Sequence, residues 1–232
     1  GLAKHNGPVA APGWALAQLD AAFPLELTTW PSLEAQIAAV SDDIAYDNHD
    51  IDDGLRAGFL ILDDLMELDF LADQWRSVEK RFPGAPRERQ LRELVREQIG
   101  LMVNDVLEYT RAQVEDMGSV ADVRAAGRAL AGFSPAMGEY ERALKKLMYE
   151  KLYYHPEQVA AAERARDVVA RLFAAYSQDT SLMPRPWQAL LPRKEPERTR
   201  TSSDFIAGMS DSVAMAACTR IYGKRPEGLI NV

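Results

Sequence analysis

A single cysteine, Cys218, and only three histidines, His5, His49 and His155, stand in this sequence. One thiol excludes an internal disulfide and fits a reducing compartment, so the expected location is cytoplasmic. The same shortage excludes a zinc-spaced Cys/His set. There is no Gly-rich phosphate loop, no Ser-His-Asp arrangement in recognisable context, no internal repeat and no low-complexity tract. No apolar run approaches the roughly 20 residues that a bilayer requires, so no membrane partner is expected. Positive charge is also scarce. Against 35 Asp and Glu stand 27 Lys and Arg, a net charge of −8 with a pI of about 5.0. An overall positive field is therefore absent, and nucleic acid is not indicated as a partner.

Hydrophobic residues are plentiful at 47% of 232, enough for a sizeable core. Their spacing is helical throughout and offers no strand of useful length. The expectation is an all-α, multi-helix chain forming one domain over residues 1–232. The longest helix is expected from Pro86 to Met117, with Arg87, Arg92 and Arg96 beside glutamates on a solvated, ion-paired face. Further helices are expected over 14–23, 70–82, 137–154 and 157–176. A long irregular connection follows over 180–200, then a final helix from Ser202 or Ser203 to Tyr222. Cys218, following Ala216 and Ala217 in an apolar helix, reads as a small core residue, and His155 before Pro156 as a helix-end residue.

The most informative stretch is 31–58, PSLEAQIAAVSDDIAYDNHDIDDGLRAG. Ser32 can cap a helix here, Glu34 suits its positive start, and no Gly or Pro interrupts before Gly54. At roughly 100° per residue, Leu33, Ile37, Val40, Ile44, Ile51 and Leu55 form an apolar stripe. The opposite side carries Ala35, Ala38 and Ala39, then Asp42, Tyr46, His49, Asp50 and Asp53. Carboxylates gathered this way repel one another unless a divalent metal or a cationic partner faces them; the other reading is a solvated acidic face.

The run Asp42-Asp43-Ile44-Ala45-Tyr46, followed by His49-Asp50 and Asp53-Gly54, resembles the signature helix of the HD-domain deoxynucleoside triphosphate triphosphohydrolases, the bacterial dGTPase-like family. Similar blocks recur in order along the chain: Leu2 to Pro8 (LAKHNGP), Ile99 to Val106, Leu152 to His155, and Asp204 to Asp211. The resemblance implies an HD-domain-like phosphohydrolase architecture and metal-dependent hydrolysis of a dNTP to deoxynucleoside and tripolyphosphate. By the same resemblance, Asp42 is a ligand to Mg²⁺ or Mn²⁺, Tyr46 and Asp50 receive the deoxyribose, Lys4 contacts the triphosphate, and the protein is a homo-oligomer. A carboxylate is a hard oxygen donor suited to either ion, and an aromatic ring against the sugar can refuse a 2′-hydroxyl.

Two departures qualify this. No His-x-n-His-Asp constellation precedes Asp42, and His49-Asp50 lies on the Tyr46 helix, so it is not the family's metal pair. Near the end, Ser212-Val213 stands where the family has Arg-Tyr or Arg-Phe. The expectation is the C-terminal portion of a longer enzyme, incomplete as a catalyst alone and with no assignable general acid or base. Two rival readings remain: an HD-type phosphohydrolase of another nucleotide or phosphate ester, and a non-catalytic helical regulatory or interaction module.

Overall fold

Alternation of apolar and polar residues at helical spacing, interrupted by Pro and Gly, sets the element order. In the computed structural model, which describes residues 1–228, every regular element is a helix and the described residues contain no strand. The fold is all-α, in keeping with an HD-domain-like phosphohydrolase architecture. The α-helices are α1 (Trp14–Ala22), α2 (Leu33–Ala57), α3 (Leu62–Leu65), α4 (Asp69–Arg81), α5 (Arg87–Gln113), α6 (Val120–Ala125), α7 (Pro135–Met148), α8 (Pro156–Gln178), α9 (Arg185–Leu190), α10 (Glu197–Ala207) and α11 (Asp211–Tyr222).

The chain gathers into two compact units, Gly1–Leu152 and Tyr153–Val232. The break has a local cause. After α7 the helix widens into a π-turn over Tyr149–Tyr153, and Pro156 has no N–H with which to continue it. His155 therefore starts a helix: its Nδ1 accepts from the Glu157 N–H at 3.4 Å, capping α8.

Within the first unit, α5 packs on both α2 and α4, and α7 packs on α2. Ile51, Leu60, Leu71, Leu94, Met102 and Leu144 are almost completely buried there. Polar clasps set the register. The Gln36 side chain donates to the Pro31 carbonyl (3.0 Å) and accepts from the Leu130 and Ala131 amides (2.8 and 3.2 Å). Ser134 caps α7 and is gripped by Asp105, which accepts from its hydroxyl (2.6 Å) and its amide (2.8 Å). The charged flank of α5 is ion-paired as its sequence predicts, through Arg92–Glu88 and Arg96–Glu93, while Arg87 lies 4.2 Å over the Trp75 ring.

In the second unit, α8 packs against α10 and α11 around Leu172, Tyr176, Met183, Met215 and Cys218. Tyr176 and Phe205 meet edge to face at 5.1 Å. Two expectations are corrected here. The 180–200 connection holds a 3₁₀ turn (Thr180–Leu182) and α9. The final helix is two helices, because the Ser210 hydroxyl accepts from the Val213 N–H and starts α11 afresh after Gly208.

Candidate functional site

The α2 helix is built as its sequence predicts and carries the candidate site. Ser32 caps its first turn by accepting from Ala35 N–H, Glu34 lies in that turn, and Gly58 closes the far end in the left-handed conformation (φ 74°). Gly54 is required for a different reason. A Cβ there would stand 2.6 Å from Leu60 Cδ1, so only hydrogen lets the chain return across α2.

The buried face differs from the predicted stripe. Val40, Ile44 and Ile51 are buried, but Ile37 is 38% exposed, and Gln36, Asp47, Asn48 and Gly54 take the inward positions. Inward residues recur at 36, 40, 44, 47, 51 and 54, the steps of three and four that keep one face of a helix buried, here against α5 and α7.

Asp42, Tyr46, His49 and Asp53 are exposed on the outer face, and Asp50 is half-buried beside them. Asp42, Tyr46 and Asp50 follow one another at about 6 Å of rise per step, four residues apart. Asp42 borders a groove of about 550 Å³ floored by Ala38 and Ala39 and edged by Glu34 and His5. His5 also borders a second groove of about 410 Å³, with Asp43 and Arg142. Its Nδ1 lies 3.0 Å from the Leu2 carbonyl, which can only accept, so Nδ1 donates in this contact. In the sequence, His5 lies beside Asn6 within the Leu2 to Pro8 block and reads either as a polar loop residue or as one lining a pocket mouth; here it borders both grooves.

Lys4 is elsewhere. Its ammonium donates to the Glu26 carbonyl (2.5 Å), the Thr29 carbonyl (3.1 Å) and the Thr29 hydroxyl (2.7 Å). These three acceptors engage all three of its donors and hold the 26–29 turn. Partial burial, then the Arg124 charge, pull the Lys4 pKa below its ordinary value.

Beneath the outer face lies a charged cluster that sequence spacing does not announce. Lys145 of α7 reaches Asp43 at 2.9 Å and also pairs with Glu141. Burial alone would lower the pKa of this lysine, but its bonds to the two carboxylates hold it above the ordinary range. Asp47 is 1% exposed, and neither of its oxygens has a hydrogen-bond partner among the described residues. Burial pushes its pKa up to about 7; Glu141, Asp43 and Asp50 push the same way, and Lys145 opposes them.

As for a metal, no group of three or more His, Cys, Asp or Glu among the described residues could hold one. Asp42 offers a single hard oxygen donor, so the described residues do not complete a divalent-metal site. No helix among them is long and apolar enough to cross a membrane.

Residues 131–220 match the Phosphohydrolase-associated domain. Over nearly its whole length the chain is a relative of the proteins named deoxyguanosinetriphosphate triphosphohydrolase-like protein, as its sequence blocks imply. It is 41% identical over 240 residues to that of Sinorhizobium medicae, covering 98% of this chain and 59% of the relative. Identity is 41% over 232 residues with that of Parvibaculum lavamentivorans (96% and 59%) and 38% over 239 with that of Brucella ovis (98% and 60%). The chain thus spans about three fifths of the length of the curated relatives it matches.

Proposed function

We propose that this chain forms the helical, substrate-facing part of a phosphohydrolase that cleaves a deoxynucleoside triphosphate, dGTP or a close analogue, into deoxynucleoside and tripolyphosphate. The observation that carries the reading is the display of Asp42, Tyr46 and Asp50 along the outer face of α2, with Asp42 beside a groove floored by alanines. The names of the relatives support the same reaction class.

In this reading the Tyr46 ring lies flat against the deoxyribose, where it leaves no room for a 2′-hydroxyl, and the Asp50 carboxylate accepts from the sugar hydroxyl one helical turn on. Asp42 gives one carboxylate oxygen to a divalent ion, Mg²⁺ or Mn²⁺, whose other protein ligands are not found among the described residues. Such an ion, when bound, would polarise a phosphoryl oxygen. Lys4 takes the triphosphate role only by exchanging its three present acceptors for phosphate oxygens. The active protein is proposed to be a homo-oligomer.

The second reading, a non-catalytic helical module, draws on the lack of a complete ligand set among the described residues. Chromatography separates the two. The polypeptide as its gene encodes it, and its Asp42→Ala form, are incubated with each dNTP, with NTPs and with Mg²⁺ or Mn²⁺. The expected result is deoxynucleoside plus tripolyphosphate from the parent, and loss of both products from a folded Asp42→Ala protein. A parent that leaves every dNTP intact overturns the triphosphohydrolase reading; cleavage of NTPs or phosphate esters alone favours another HD-type phosphohydrolase, and no cleavage at all the module.

A further inference from the structure

An aspartate inside a helix bundle is either paired or protonated, because an isolated buried charge costs far more than a hydrogen-bonded one. Asp47 sits in the α2–α7 seam, nearly inaccessible, with both oxygens unpartnered among the described residues. The nearby ammonium, Lys145, is already in contact with Asp43 and Glu141. Three carboxylates thus share one lysine, and Asp47 is the one left without direct contact. Across the seam, the Tyr140 hydroxyl of α7 is also buried without a partner, its ring held 4.1 Å from that of Phe70.

We propose that Asp47 is a proton-holding brace: it occupies the α2–α7 seam as the neutral acid, and its ionisation loosens the grip of α7 on the helix that displays Asp42, Tyr46 and Asp50.

The groups acting on Asp47 are Asp43 and Asp50 from its own helix and Lys145, Glu141 and Tyr140 from α7; the buried side chains of α5, Gln98, Met102 and Val106 among them, carry no charge. Three of these groups are anionic at neutral pH and one is cationic, so the seam favours the proton. Burial, then the Asp47 charge, push the Tyr140 phenol up as well, so Tyr140 remains a donor throughout the range in which Asp47 titrates. The folded carboxyl keeps its proton to about pH 7, whereas the ordinary carboxyl loses it near 3.8. Folding therefore takes up a proton between these values. The resulting stability falls as pH rises through that window and stays low above it. The inference concerns the helix pair and holds whatever substrate the outer face takes.

The test uses the 232-residue chain and its Asp47→Asn form, an uncharged near-isostere. Between pH 5 and 8 the folding equilibrium of the wild type should lose roughly a hundredfold relative to Asp47→Asn, read as a gap between their thermal midpoints that widens by several degrees. Amides of residues 137–148, corrected for intrinsic exchange, should exchange faster at pH 8 than at pH 6 in the wild type but not in the variant. Carboxyl ¹³C NMR of the wild type decides the matter if the variant does not fold: one aspartate should titrate near neutral pH. Parallel midpoint curves, pH-independent protection of α7, or aspartates that all titrate below pH 5 would each overturn the proposal.

Discussion

Replacing Gln36 by Leu tests whether the first unit is registered by polar clasps as well as by its core. Gln36 is 5% exposed and joins three backbone groups: it donates to the Pro31 carbonyl and accepts from the amides of Leu130 and Ala131. Leucine fills nearly the same volume, so no cavity term enters. What is lost is hydrogen bonding. Two buried N–H groups are left without an acceptor, at about 1–3 kcal/mol each, and the Pro31 carbonyl loses one donor. Leucine recovers part of this through its apolar surface and better helix propensity. The expected net loss is about 2–4 kcal/mol, a large share of a typical domain's stability. Urea denaturation followed by circular dichroism measures it, and hydrogen exchange of the 125–135 peptide locates it, since those two amides should lose protection first. Gln36→Glu keeps the acceptor and should regain protection at 130 and 131 while still losing the bond to Pro31. A Gln36→Leu protein within about 0.5 kcal/mol of wild type, with the 130–131 amides still protected, would refute the reasoning.

Two further substitutions probe other parts of the frame. Gly54→Ala places a Cβ 2.6 Å from Leu60 Cδ1 and 2.9 Å from Leu60 Cγ, with Leu60 itself 1% exposed, so overpacking should cost about 1–3 kcal/mol in thermal unfolding despite alanine's better helix propensity. A second substitution, Leu60→Ala, should make Gly54→Ala nearly neutral, and additivity of the two would count against the contact. Ser134→Ala removes both the α7 cap and a partner of Asp105, and about 1–2 kcal/mol should be lost, with faster hydrogen exchange in the first turn of α7; unchanged exchange there would refute the capping role.

Much of this protein follows from local chemistry that a linear sequence carries. Helix α2 begins at Ser32 and ends at Gly58 because a hydroxyl cap and a left-handed glycine act within a few residues, and both are visible as letters. The all-α class follows from helical periodicity in every apolar segment between the Pro and Gly breaks. The outward display of Asp42, Tyr46 and Asp50 follows from 3.6 residues per turn once the opposite face is apolar. Family relationship was legible in the order of the motif blocks.

What the linear pattern does not contain is the set of neighbours. Ile37 belongs to the apolar stripe by angle, yet it is exposed, and Asp47 belongs with the polar residues by type, yet it is buried, because α5 and α7 together choose which arc of α2 is covered. Lys4 is one basic residue among 27 until the Glu26 and Thr29 carbonyls, more than twenty residues away, engage its ammonium. His5 looks like a loop residue until the fold brings it to the Asp42 groove. Division into two units at Tyr153 likewise depends on which helices find each other after Pro156 restarts the chain. Helix type, caps and facial order come from interactions within about four residues, so the sequence determines them by itself. Burial, pairing and proton affinity depend on side chains brought together from distant positions, and only the tertiary structure decides them.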